Sequence, residues 1–234
     1  MVAAGAWATT VVLTSGMDAM PGTMGLSVEA FLGVWLLMMV AMMFPAVAPV
    51  ARLYTRTMLA PRTARFATFL CGYLLVWTAA GLPAFGLAWG AGYVAANSPT
   101  AARVAAVATF LAVAAYQVSP LKDVCLRACR SPLYLLLRYA GYRGRLRDLR
   151  VGAHHGLYCL GCCWALFAAL IALGMMNLLA MVTLAGTVSA EKLWSHGVGL
   201  SRVLAAAAVG IAVVVAIHPM FASGLYSGSM SSGG

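Results

Sequence analysis

The chain has 234 residues, 63% of them hydrophobic and only 9% charged, with a mean hydropathy of +0.93 and a formal net charge of +10. A soluble domain carries about a quarter charged residues, so a soluble enzyme, a disordered chain and a secreted disulfide scaffold are excluded and a polytopic membrane protein remains. In that class the excess of Lys and Arg reports topology rather than nucleic-acid binding.

A bilayer core of roughly 30 Å needs about 20 apolar residues of helix. Residues 1–13 are apolar but too short, and they lack the basic region of a signal peptide. They read either as a partial sixth helix at the N-terminus or as an interfacial end. Residues 28–50 form the first full span, with Glu29 at its edge and Pro45 and Pro49 expected to kink it. Residues 66–95 form the second, uncharged and long enough to tilt or bend at Pro83. The third covers 104–121, with Gln117 and Pro120 near its end; the fourth covers 156–190 and is over-long; the fifth covers 203–221. These runs are continuously apolar rather than alternating, which speaks against strands, and a backbone in hydrocarbon must satisfy its own hydrogen bonds. The expected fold is therefore all-α: a polytopic transmembrane helix bundle of about five spans with a partial sixth. Residues 1–222 make one domain, and the Gly/Ser-rich residues 223–234 make a flexible tail.

Twelve of the 15 basic residues lie in two loops. Residues 51–65 hold Arg52, Arg56, Arg62 and Arg65, and residues 122–153 hold Lys122 and seven arginines. The positive-inside rule places both loops in the cytoplasm of a bacterial inner (cytoplasmic) membrane. Residues 189–200 then lie outside and the C-terminus inside. The long inner loop, residues 122–153, is expected to lie as an amphipathic segment on the anionic leaflet, each Arg contributing about 1 kcal/mol. The lipid bilayer is the first partner these residues imply, and nucleic acid is not expected as one.

Five of the six cysteines fall into two clusters at the ends of that inner loop. Cys125 and Cys129 are one turn apart if the third helix continues past Pro120, and Cys159, Cys162 and Cys163 share one face of the fourth. In a reducing cytosol they are thiols rather than disulfides, and converging thiols suit a soft metal. His154 and His155 precede the second cluster and are candidates to complete a site. Met38, Met39, Met42 and Met43 form two i, i+4 pairs on the first span, while Met17, Met20 and Met24 form an outer run. Thioethers are soft ligands for copper(I) that need no deprotonation, although Met also fills packing gaps. Counting 1.5 Å per residue from the inner helix ends places Met43 and Cys163 in one layer, with Met175 and Met176 roughly 18 Å deeper. Cys71 reads as packing, Asn177 as an interhelical hydrogen-bonding group, and Gly86 with Gly90 as a close-packing pair. Glu191 and Lys192, at the outer end of the fourth span, either pair or face water. No phosphate loop, Ser-His-Asp set or HExxH occurs, so binding is expected over catalysis.

The blocks Met38–Pro45, Lys122–Pro132 with its Cys125-Leu126-x-x-Cys129-Arg130 core, Gly156–Trp164 with Cys159-x-Gly161-Cys162-Cys163-Trp164, Gly174–Leu178 and Glu191-Lys192 occur in that order. Together they resemble a bacterial domain-of-unknown-function family described as predicted metal-binding integral membrane proteins. The resemblance runs from about Met38 to Lys192 and implies metal binding. Copper(I) is the expected ion, with zinc and iron as alternatives. Its role would be capture, transfer or delivery to another membrane or metal-handling protein. Two other classes stand beside it: an accessory or scaffold subunit, and a thiol-redox enzyme acting with a quinone.

Overall fold

The computed structural model describes residues 2–15, 22–56, 62–194 and 196–225, and every regular element among them is helical. Nine α-helices follow in order: α1 (Val2–Ser15), α2 (Val28–Arg56), α3 (Arg62–Asn97), α4 (Pro99–Gln117), α5 (Pro120–Arg130), α6 (Pro132–Tyr139), α7 (Arg147–Leu173), α8 (Leu178–Leu193) and α9 (Gly197–Ile217). Five of them, α2, α3, α4, α7 and α9, are long and apolar enough to cross a membrane. Helix α1 is apolar but shorter, and its first residues lie beside Pro45, Ala48 and Arg52 of α2. Helix α2 continues through both of its prolines.

The third sequence-predicted span is two helices. Helix α4 ends at Gln117, and Ser119 starts a new one by accepting the Lys122 N–H at 3.2 Å, with Pro120 in the first turn where no intrahelical N–H is needed. Asp123 in its first turn and Arg127 and Arg130 in its last match the helix dipole. The fourth predicted span also breaks in two. Gly174, at φ +95°, takes a left-handed turn that ends α7, and Asn177 then caps α8 through a 3.1 Å bond from Ala180 N–H.

Helix α8 folds back along α7, so Lys192 reaches Cys159. This corrects the predicted topology of the last third. The described part of residues 189–200 lies not opposite the Arg-rich loops but against α5: Lys122 pairs with Glu191, and Arg130 donates to the Trp194 carbonyl at 2.6 Å. Helix α9 then runs antiparallel to α4, because Ser201 sits at Glu191 while Arg103 donates to the Ala216 carbonyl. The last described residues close on the far end of α7, where Ser223 donates to the Leu173 carbonyl at 2.6 Å. The chain therefore leaves the described structure at the end opposite Arg147, not beside the Arg-rich segments. Residues 226–234 of the expected flexible tail lie outside the described residues, as do Met17 and Met20 of the outer Met run.

Helices α3 and α7 lie side by side in parallel. Phe69 stacks on His155, Tyr73 reaches Cys159 and Trp77 meets Phe167. Three glycines permit their close approach: a Cβ at Gly152 would overlap the Phe69 carbonyl, one at Gly72 the Leu149 carbonyl, and one at Gly156 would lie 3.2 Å from the Tyr73 carbonyl. At the predicted pair Gly86 and Gly90 an added Cβ would meet nothing within 4 Å. Helix α2 is antiparallel to α7. Trp35 packs on Phe167 with ring centroids 5.7 Å apart, and Tyr54 donates to Asp148 at 2.6 Å, nineteen residues later on α2 and nineteen earlier on α7.

Candidate metal centre

Helix α7 places His155, Cys159, Cys162 and Cys163 on one inward face by the 3.6-residue period, and all four are buried. Helix α5 supplies the facing thiols. Tyr116, Cys125 and Cys129, spread along α4 and α5, all meet α7 between Gly161 and Trp164, so α5 crosses α7 instead of running along it. Cys125 Sγ fits because residue 161 is glycine; a Cβ there would lie 2.7 Å from that sulfur. Cys129 Sγ lies 3.8 Å from Cys162 Sγ. With metal–sulfur bonds of about 2.3 Å, two thiolates on one ion at a tetrahedral angle are about 3.8 Å apart, so this spacing fits two ligands of a single ion. Cys162 and Cys163 each direct their sulfur to the Cys159 carbonyl, at 3.1 and 2.8 Å. Among the described residues no group of three or more His, Cys, Asp or Glu side chains is set to hold a metal ion.

The sulfur of Cys159 has different neighbours. Tyr73 OH lies 3.0 Å away and Lys192 Nζ 2.9 Å away. Beside it, Lys122 and Glu191 form a 2.6 Å ion pair at 0% and 2% side-chain exposure. Gln117 bonds to Lys122 and Ser201 donates to Glu191 at 2.9 Å, joining α4, α5, α8 and α9 in one buried polar node. On α5, burial pushes the Cys125 thiol up, and for Cys129 its hydrogen bond to Cys162 and then burial push it well up. Both thiols are protonated at neutral pH, so a metal bound there displaces protons.

Met38, Met39, Met42 and Met43 are fully buried in the same core as Cys129, Cys159, Cys162 and Cys163. The α2–α7 register puts Met39 level with Cys163 and Met43 level with Cys159. His154 lies apart from the sulfurs, its Nδ1 3.1 Å from Tyr139 OH. His155 is sandwiched between Phe69 and Tyr73, and its Nδ1 has no hydrogen-bond partner. Sequence reasoning did not place Lys192, Tyr73, Lys122 or Met181 at the site. A Glu-Lys pair ending an apolar run was the available signal, but its burial depends on α8 folding back. Met181 of α8 is also fully buried in this core.

Fold and site together define a bundle of long apolar helices around a soft-sulfur core, with charges buried beside it. The family model PpoB2, described as copper chaperone, matches residues 32–215, more than half of the chain, and the chain belongs to that family. The resemblance drawn from the Met and Cys blocks thus holds at the level of a copper-related family. No curated protein and no solved structure gives a significant match.

Proposed function

We propose that this chain is a membrane-embedded copper chaperone that takes up copper(I) as cargo between Cys129 and Cys162 and hands it to another metal-handling protein. The observation that carries this reading is the 3.8 Å approach of two buried thiols from different helices. Copper(I) accepts fewer ligands than zinc, which takes four in structural sites, and a bent thiolate pair at this spacing leaves room for a further soft donor. Cys125, Cys159 and Cys163 supply neighbouring thiols. Met38, Met39, Met42 and Met43 are thioethers at the same depth, soft donors that carry no charge. His154 and His155 are second choices, since both face aromatic rings. The five long helices support insertion in a bilayer, and the positive-inside rule places the Arg-rich end in the cytoplasm of a bacterial inner membrane. A scaffold role does not call for paired thiols, and a quinone-linked redox role does not call for a thioether quartet.

The test is bound copper per chain, by mass spectrometry, after loading the reduced protein with copper(I) and desalting. Wild type is expected to hold copper, Cys129→Ser and Cys162→Ser to lose most of it, and Cys71→Ser, whose side chain is exposed, to retain it. Met42→Leu with Met43→Leu should weaken copper(I) while leaving any zinc binding unchanged. Undiminished copper in a Cys129→Ser, Cys162→Ser double variant of wild-type helicity would make the pair a packing feature and end this reading.

A further inference from the structure

Four ordinarily charged side chains are buried among the described residues: Lys122, Asp148, Glu191 and Lys192. Three have opposite charges beside them. Asp148 pairs with Arg65 at 2.9 Å, and Lys122 with Glu191 at 2.6 Å. Lys192 pairs with no carboxylate among the described residues, yet it is only 8% exposed. The partner of its Nζ is the Cys159 sulfur, one helical turn before Cys163 and three residues before Cys162. A buried ammonium without a counter-charge is costly, and a buried charge is kept where it is compensated. The Lys122–Glu191 pair cancels itself, so the sulfur core carries one net positive charge from this protein's own basic and acidic side chains.

That sum discriminates between ions. Two thiolates around a monovalent ion carry a net charge of minus one, which the single excess cation neutralises. Two thiolates around a divalent ion carry no net charge and leave the ammonium uncompensated. We propose that Lys192 is a specificity-determining residue: a fixed counter-charge that makes the Cys129–Cys162 centre accept a monovalent soft ion and disfavour a divalent one. This rests on the copper reading above and adds the charge class of the cargo and the residue that sets it. Lys192 acts through the field at the sulfurs and is not itself a ligand. Lys122, although also buried, cannot replace it, because Glu191 already neutralises it.

The experiment measures copper(I), silver(I) and zinc(II) affinities of the full, reduced protein in detergent, by competition with chelators. Four proteins are compared: wild type, Lys192→Met, Lys192→Arg, and a Lys122→Met, Glu191→Gln double variant. The double variant removes two buried charges without altering their sum. Lys192→Met is expected to lose affinity for both monovalent ions by about tenfold or more while zinc(II) holds or improves, because a unit charge buried in the same core acts strongly on the sulfurs. Lys192→Arg should restore the monovalent preference, and the double variant should keep the wild-type ratio of monovalent to divalent affinity even if it melts earlier. A Lys192→Met protein of wild-type helicity with an unchanged ratio overturns the proposal, as does a double variant that loses the ratio. Should Lys192→Met not fold, Lys192→Gln, which also removes the charge, decides it by the same ratio. Wild type that binds no copper(I) at all sinks the copper reading itself, a result distinct from the loss of selectivity.

Discussion

At Asn177 the chain turns from α7 into α8, and the exposed side chain accepts the Ala180 N–H at 3.1 Å. The sequence alone places this amide in mid-span and calls for an interhelical partner; the structure instead uses it as a helix cap. Loss of an N-cap costs about 1 kcal/mol, so Asn177→Ala should lower the thermal midpoint modestly and Asn177→Ser should recover most of it. Equal stability of all three proteins would show that the cap contributes nothing. The thiols of α5 carry a second expectation. Burial holds Cys125 above the ordinary thiol range, and the hydrogen bond to Cys162, with burial, does the same for Cys129. Protons therefore compete with metal: copper(I) affinity should rise with pH through neutrality, on the order of tenfold per unit for each thiol proton released. Affinity flat between pH 6 and 8 would mean that the metal-binding thiols are already ionised. The cysteine spacings made most of this site legible in the sequence, since i, i+3, i+4 fixes one helix face. Lys192 was not legible, because whether a helix end meets water or sulfur is decided by a chain reversal and not by local pattern.

Between helices, two Gly-xxx-Gly pairs have the same form in sequence and opposite roles in space. Gly152 and Gly156 let α7 approach α3 at Phe69 and Tyr73, whereas a Cβ at Gly86 or Gly90 would meet no atom within 4 Å, both lining a cavity with Ala105 and Ala168. A Cβ at residue 152 has only backbone to meet, which cannot step aside. Gly152→Ala should therefore destabilise the fold by at least the 1–3 kcal/mol typical of overpacking, while Gly90→Ala should be neutral or slightly stabilising through helix propensity. The measurement is the melting midpoint of each in the same detergent. If Gly152→Ala melts with wild type, the tight α3–α7 seam is not what holds Cys159 near Tyr73. The same scale explains the misplaced boundaries. Hydropathy continues through Val118 and through Gly174–Asn177, so the apolar runs look like single spans. The breaks come from a serine cap before Pro120 and a left-handed glycine, both local signals that mean hydropathy overrides.

Across the whole molecule, helix type and the number of long helices were readable because they follow from composition and length alone. The path of the last third was not. A straight fourth crossing and a hairpin of α7 with α8 present the same apolar stretch, yet they put the end of the chain on opposite faces. At about 1.5 Å per residue, α8 rises roughly 24 Å, short of a bilayer core of roughly 30 Å. It can nonetheless carry Lys192 back to Cys159, which itself lies roughly 18 Å along α7 from Arg147. Helix α9 then starts near α5 and ends beside Arg103, next to the far ends of α3 and α4. A reporter fused after Gly234 should therefore give the signal opposite to one inserted at Gly144, between α6 and α7. A reporter following Asn97, where α3 ends, should agree with the C-terminal one. By the positive-inside rule the reporter at Gly144 is expected to give the cytoplasmic signal. Matching signals at Gly144 and the C-terminus would restore the five-crossing path. They would also separate Lys192 from Cys159 by the thickness of the bundle, and remove the counter-charge from the sulfur core.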